Sequence, residues 1–486
     1  MFDNWVLGKK VNDSVLEIKE KEVKIDLIKK YLGTDGDVNY KEIYVSGNKD
    51  IKATLIFIDG LVSVSNINDN ILKPLTQEGE LTQEKNEENI IDYIVHGSVY
   101  HVVSKVKEDL NEVVTDILNG FTALIVNEGN KVIVFETKGF EKRGISDPTS
   151  ENVLKGSKDA FVETLRVNTA LVRRKIKTPD LKLKEMTIGT KSKTQISIIY
   201  MDSLADKKML NDLIERVNDI KSDNIIAPTD FEEYIVDNKY SMFPQVLYTE
   251  RTDKFCANIM DGKIGIIIDG LPIAYVIPAT FSMFLQAPED YSDNYIITSF
   301  IRIVRYMCIA VTLLLPALYI AITTFHQEMI PTELAMSIIR SKDGVPFPSF
   351  VELILMLLAF EVLIEAGLRL PKPIGQSVSI IGGLVMGQAA VSAKIVSPAI
   401  VVLVAITGIA GFVIPNQDLS NSFRICRLLL TLCSAIFGLF GVSIGVIVLI
   451  YYLSSIEIFG IPYMVPYEGN EGKNIIKDTF LRLPNK

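Results

Sequence analysis

At 486 residues the chain exceeds the usual size of one domain. Residues 1–290 hold 37 Lys and Arg against 47 Asp and Glu, whereas residues 291–486 hold 13 against 12. The acidic first part argues against nucleic acid as its partner, because phosphate binding wants a Lys/Arg surface, and the sparsely charged remainder reads as membrane-embedded.

Met1–Lys10 lacks the basic stretch and apolar core of a signal peptide, so the first part is expected to stay on the cytoplasmic side. Ala53–Ile58, ended by Asp59-Gly60, suits a buried strand and a turn. Residues 74–90 are polar and Glu-rich and read as a loop. His96 and His101 follow, close together but without a metal pattern, and read as ordinary polar histidines. Leu110–Leu118 has helical spacing. Phe121–Val126 and Val132–Thr137 read as strands of a hairpin turned by Asn127-Glu128-Gly129-Asn130. A second unit begins near Ser157. Its signals are a helix over Asp159–Arg174, a strand over Gln195–Tyr200, a helix over Lys207–Ile220 and a strand over Ile264–Ile268. No phosphate-binding glycine loop, catalytic triad or paired-cysteine metal motif occurs. Three of the four cysteines, Cys308, Cys426 and Cys433, lie in apolar runs and read as small apolar residues, and Cys256 joins them in no disulfide framework. Neither an enzyme, a metal nor a cofactor is expected.

Ile303–Phe325 is long enough to span a bilayer, with Arg302 and Arg305 at its entry, and it ends at His326 and Glu328. Ile374–Ala393 and Ile395–Ile414 are two further spans, separated near Lys394. Leu428–Leu453 is either one tilted helix or two shorter ones broken at Gly438-Leu439-Phe440-Gly441. Between these lies Phe350–Leu370, apolar but carrying Glu352, Glu361, Glu365 and Arg369. A charge at mid-membrane costs roughly 2.5–3.5 kcal/mol. At helical spacing Leu358, Glu361, Val362, Glu365 and Arg369 form one face, with Glu352 opposite Glu361 and Glu365 able to pair with Arg369. Two readings stay open: the face lines a polar pathway or water-filled cavity, or the segment is an amphipathic helix at the interface or a span whose carboxylates are tied to neighbouring helices. Ser379, Gly383 and Gly387, and Gly441 and Gly445, recur every four residues and are candidate helix-packing positions. With the N-terminus inside, inner flanks carry Arg302, Arg305, Arg369, Lys372, Arg424 and Arg427, and outer segments carry Arg340, Lys342 and Lys394. That asymmetry favours a cytoplasmic soluble region. The fold class expected is an α/β soluble region of two small subdomains, residues 1–155 and 156–295 with a connector. An all-α multi-pass transmembrane bundle of about five spans follows over 296–455, then a tail over 456–486.

Further runs resemble a known family. They are Phe325-His326-Gln327-Glu328-Met329-Ile330-Pro331-Thr332-Glu333-Leu334, Val345-Pro346-Phe347-Pro348, Glu365-Ala366-Gly367, Arg369-Leu370-Pro371, Ile374-Gly375-Gln376, Gly387-Gln388-Ala389-Ala390-Val391 and Gly460-Ile461-Pro462-Tyr463. Upstream, Asn168, Leu171-Val172-Arg173-Arg174, Phe243-Pro244-Gln245, Thr249-Glu250-Arg251 and Gln286-Ala287-Pro288-Glu289-Asp290-Tyr291 belong with them. In order over roughly 155–485, they are similar to the GerA family of spore germination proteins, A-subunit type. The departures are Ile364, Ser392 and Lys394, where the family favours an Arg, an acidic residue and a Gly. The resemblance implies a germinant receptor subunit in the inner membrane of a bacterial endospore. It would act with a transporter-like B subunit that binds the nutrient and a lipoprotein C subunit, and would oligomerise around a cation pore. The alternatives are a non-channel scaffold or signalling subunit, and a paralogue assisting dipicolinate release.

Overall fold

The computed structural model describes residues 18, 20–33, 35–76, 87–99, 103–127, 129–139, 148, 151, 153, 155–223, 225–370, 382–383, 385–467 and 479–482. They form two units: one of residues 1–239 and 246–278, the other of 240–245 and 279–486.

The first unit holds two five-stranded antiparallel sheets of one topology. In the first, α1 (Ile25–Leu32) precedes β1 (Val38–Tyr44) and β2 (Lys52–Ile58), and β3 (Ser104–Lys107) precedes α2 (Leu110–Leu118), β4 (Thr122–Val126) and β5 (Val132–Phe135). The second repeats this path. Helix α3 (Leu165–Lys175) leads into β6 (Leu181–Ile188) and β7 (Thr194–Met201). Two helices follow, α4 (Lys207–Asn218) and α5 (Pro228–Ile235), then β8 (Leu247–Thr249), α6 (Thr252–Met260), β9 (Ile264–Ile268) and β10 (Ala274–Ile277). The strand orders, β1-β2-β4-β5-β3 and β6-β7-β9-β10-β8, are the same path used twice. Gly120 and Gly262 occupy the same place in it, after α2 and α6. At φ of 86° and 87° both need the left-handed region that glycine enters without a Cβ clash.

Strands β2, β4 and β5 read as apolar runs because both faces of their sheet are covered. Ile56, Ile58, Ala123 and Ile125 pack under α1 and α2, while Ala53, Leu55, Leu124 and Val126 pack against Ile67, Ile71 and Leu75. The β4–β5 hairpin and α2 match the expectation. Two elements differ. Part of the expected 74–90 loop is helical, over Glu87–Tyr93, because the stripe Ile90, Ile91 and Ile94 is buried in the same core. Helix α3 starts at Leu165, not Asp159. Asn168 turns its amide back onto the backbone of Val162 at 2.8 and 2.6 Å, and Asp269 accepts the Leu165 N–H at 2.9 Å, which fixes 159–164 as extended chain and caps the helix.

The two repeats meet at Arg173 of α3, which is 1% exposed. Its guanidinium donates to both oxygens of Asp37 at 2.8 and 2.9 Å, to Asp35 at 3.1 Å and to the Leu181 carbonyl at 2.9 Å. In the second repeat the matching Asp180 is satisfied within its own repeat, by Ser203. Burial opposes the Arg173 charge, but Asp37 and Asp35 hold its pKa above the ordinary value. Burial likewise raises the Asp35 carboxyl, against the pull of Arg173.

The second unit is helical. Helix α7 (Tyr295–Thr324) is capped by Asn294, whose side chain accepts the Ile296 N–H at 2.9 Å, so it begins before the expected Ile303. Arg302 and Arg305 lie inside this helix and are buried on Asp290, each at 3.0 Å. They are consumed by an internal carboxylate and do not act as free flanking charges. Next come α8 (Thr332–Ser341), α9 (Ser349–Arg369) and α10 (Pro398–Phe412). The 15 residues of α10 fall short of the ~20 that a perpendicular span needs. Much of the expected 374–393 span lies outside the described residues.

The run Gln417–Ser455 (α11) is two helices, not one. Gly438 takes φ 60° and ψ −141°, and the chain turns back on itself. A Cβ at Gly441 would stand 2.2 Å from the Cys433 carbonyl oxygen, and one at Gly445 2.5 Å from a Leu430 methyl. Phe423 and Tyr452 both meet the ring of Phe243, at 5.8 and 6.0 Å. A straight helix would put those two residues over 40 Å apart at ~1.5 Å per residue.

Pairs along the helices fix their directions. Ser434 bonds the Ala317 carbonyl at 2.5 Å and Gly438 abuts Phe325, so the first arm of α11 runs with α7. Glu352 reaches Ser397 while Phe360 packs on Gly408 and Phe412, so α9 runs with α10. Thr312 lies beside Gly411, and Ile320 packs with Ile400, so α10 runs against α7. After the second arm, Tyr463 packs on Phe281 and Phe284, and the Tyr467 hydroxyl hydrogen-bonds that of Tyr306. The segment after α11 therefore sits at the end of the helical unit where α7 begins.

Candidate functional site

Helix α9 concentrates the charge of the helical unit. Its leucines and methionine favour helix, and Pro348 immediately before it has the extended backbone that a helix start needs. Its charged residues take three environments.

Glu352 is fully buried, beside Leu353 and Leu357. Its carboxylate accepts the Ser397 N–H at 2.8 Å, capping the first turn of α10, and pairs with Lys342 at 3.3 Å. This joins three segments at one end of α9. A carboxylate at a helix N-terminus is also favoured by the helix dipole.

Glu361 faces the first arm of α11. It accepts from Arg427 at 2.6 Å and lies 3.6 Å from Arg424. Arg427 is 2% exposed while Glu361 keeps 26%, so the pair is partly shielded from solvent.

The third environment is open. Val351, Leu355, Leu358 and Val362 are exposed, Val362 to 69%. Glu365 and Arg369 continue the stripe and pair at 2.6 Å. Spacings of four and three residues keep all six on one side of the helix, the pattern of a helix seam. Of the five expected face residues, Leu358, Val362, Glu365 and Arg369 stay together and Glu361 is turned away. The helical wheel put Glu361 on this face; its pairing with Arg427 and Arg424 turns it toward α11 instead. Glu352 and Glu361 are tied to neighbouring segments, whereas Glu365 faces outward and pairs with Arg369.

Among the small residues, Ser379 lies outside the described residues. A Cβ at Gly383 would lie 3.7 Å from Leu363, and one at Gly387 3.4 Å from Val401. Gly408, not singled out by the spacing argument, is under the Phe360 ring, 2.4 Å from a built Cβ. The signal available was the Gly408–Gly411 pair in α10. Gly441 faces backbone, whereas Gly445 faces a movable side chain. Gly441→Ala is therefore expected to lower stability by about 1–3 kcal/mol through overpacking, and Gly445→Ala by clearly less. Thermal unfolding of both variants in detergent checks this; equal losses would contradict the tight turn.

By length and composition alone, Tyr295–Thr324 and the run Gln417–Ser455, which reverses at Gly438, are apolar enough to cross a membrane. A family model described as Bacillus/Clostridium GerA spore germination protein matches residues 26–486. The chain is 39% identical over 433 residues to the uncharacterized membrane protein YfkQ of Bacillus subtilis (strain 168), covering 88% of this chain and 83% of that one. It is 35% identical over 460 residues to spore germination protein B1 of the same organism, covering 95% and 94%. A crystal structure of the N-terminal domain of the A subunit of the Bacillus megaterium spore germinant receptor GerK3 aligns at 26% identity and a TM-score of 0.42, over 54% of this chain and 98% of that one.

Proposed function

Because this chain belongs to the GerA family of spore germination proteins, we propose that it is the A-type subunit of a nutrient germinant receptor. In this reading it is a multi-pass protein of the spore inner membrane with its α/β unit in the cytoplasm. Its copies assemble so that their α9 stripes surround a cation path. The observation that carries the reading is the stripe itself: among the described residues Val351, Leu355, Leu358, Val362, Glu365 and Arg369 are exposed, while Glu352, Leu353, Met356 and Leu357 on the other side of α9 are buried. A ring of Leu358 and Val362 side chains would close such a path by dewetting, and a ring of Glu365 carboxylates at its mouth would favour cations. Membrane association is supported by the apolar helices and by a relative named as a membrane protein. The helix directions support several crossings, with the segment after α11 on the side where α7 starts. A transporter-like B subunit and a lipoprotein C subunit are the partners proposed.

Two glutamate variants separate roles that the sequence grouped together. Glu365→Gln is expected to fold normally, since Glu365 is exposed, and to slow nutrient-triggered release of monovalent cations from spores severalfold. Glu361→Gln is expected to weaken the α9–α11 contact and reduce the amount of folded protein. Normal ion release from Glu365→Gln spores would remove Glu365 from the path.

A further inference from the structure

Among the described residues of the helical unit, helix α8 has no buried residue among its ten. It is nevertheless held at both ends. Just before it, Met329 N–H bonds the His326 carbonyl at 3.1 Å, and Phe325 and His326 abut Gly438 at the turn of α11. Just after it, Lys342 bonds Ser349 at 2.8 Å and Glu352 at 3.3 Å, in the first turn of α9. The helix is thus pinned to the rim where α7 ends, α9 begins and α11 turns. At ~100° per residue, Leu334, Ala335, Met336, Ile338 and Ile339 share one arc, and Glu333, Ser337 and Arg340 the other. Leu334, Met336 and Ile339 are 54%, 45% and 63% exposed.

Resting on the reading of α7 and α9 as membrane-crossing helices, we propose that α8 is an interfacial lipid-binding helix. Its Leu334–Met336–Ile338–Ile339 face lies in the headgroup–acyl boundary on the side of the bilayer opposite the start of α7. Two observations favour lipid over a protein partner. A segment tethered at both ends to the tips of crossing helices is confined to the depth of the interface. Exposed apolar side chains also stand at the same rim: Phe325 and Met329 beside α8 and Phe437 and Phe440 at the turn of α11. The polar arc with Arg340 then faces the headgroup phosphates, the arrangement that stabilises amphipathic helices lying in the membrane plane.

The chain has one tryptophan, Trp5, which makes a direct test available. In a Trp5→Phe background, single tryptophans are placed at Ile339, at Met336 as a second probe of the same face, at Ser337 on the polar arc, and at Val448 on the exposed side of α11. The full chain is reconstituted in vesicles containing brominated phosphatidylcholine. The proposal requires quenching at Ile339 and Met336 by bromine placed high on the acyl chain, quenching at Ser337 by aqueous iodide, and quenching at Val448 by deeper bromine. Iodide quenching at Ile339 and Met336, with Val448 still lipid-quenched, overturns the role of α8 and leaves the membrane reading standing. Shielding of both positions from lipid and iodide alike also overturns it, since a protein then covers the face. Loss of lipid quenching at Val448 refutes the membrane reading itself, and the proposal with it.

Discussion

Replacing Arg173 with alanine is expected to remove roughly 3–5 kcal/mol of stability, the usual cost of deleting one partner of a buried ion pair. The guanidinium and Asp37 are each 1% exposed, so neither is screened by water. Deletion leaves Asp37 buried without its cation, Asp35 without its guanidinium partner and with only the more distant Lys182 as counter-charge, and the Leu181 carbonyl without a donor. Arg173→Lys is not conservative, because an ammonium cannot reproduce the two-pronged contact with Asp37. A double replacement of Arg173 and Asp37 by apolar residues should recover much of the loss, since no lone charge remains. The pH dependence has a definite sign. Burial already holds the Asp35 pKa above its ordinary value. A folded-state pKa above the unfolded one favours the fold at low pH and costs stability as pH rises through it. Without Arg173 that shift grows, so the variant regains part of its stability as pH falls through the carboxylate range. Denaturant unfolding of the α/β unit checks both points. A loss below about 1 kcal/mol, the level of a surface salt bridge, would show that Arg173 does not hold the repeats together.

Glu352→Ala is expected to cost about 2–5 kcal/mol, from the cavity it leaves and from the Ser397 N–H left unpaired at the start of α10. Lys342 adds little, because it is partly exposed and returns to water. Glu352→Gln should cost clearly less, since the amide oxygen still accepts from Ser397. Thermal unfolding in detergent, with both variants beside the parent chain, measures the difference. Equal losses would mean that charge at Glu352, rather than capping of α10, is what matters there.

What the sequence revealed follows the range of the interactions. The β4–β5 hairpin was legible because its signals are local: two apolar runs and a turn sequence between them. The helix at Glu87–Tyr93 was not, because its glutamates masked a stripe of three isoleucines whose cover lies elsewhere in the chain. Arg173 was visible only as part of a family motif. Its carboxylate partners stand well over a hundred positions away, and nothing local marks Asp37 as the acceptor. The same holds for α9. Periodicity placed Glu361 on the Leu358–Arg369 face, but the direction a side chain takes is settled by what packs beside it, and Arg427 supplies that neighbour. Gly438 to Gly441 stood out as a break, yet only the backbone angles at Gly438 distinguish a kink from a reversal. The shared topology of the two sheets lay hidden because matching positions are apolar without being identical: Thr122–Val126 corresponds to Ile264–Ile268 in the path of the chain.

The central claim is that copies of this subunit form a cation path along α9. Its most direct test is ion flux through the complex reconstituted in liposomes with the proposed B- and C-type partners. The account predicts monovalent cation flux that appears on adding the cognate nutrient and falls when Glu365 is replaced by glutamine. An assembled, nutrient-binding complex that passes no ions would contradict it and make the chain a non-conducting signalling subunit.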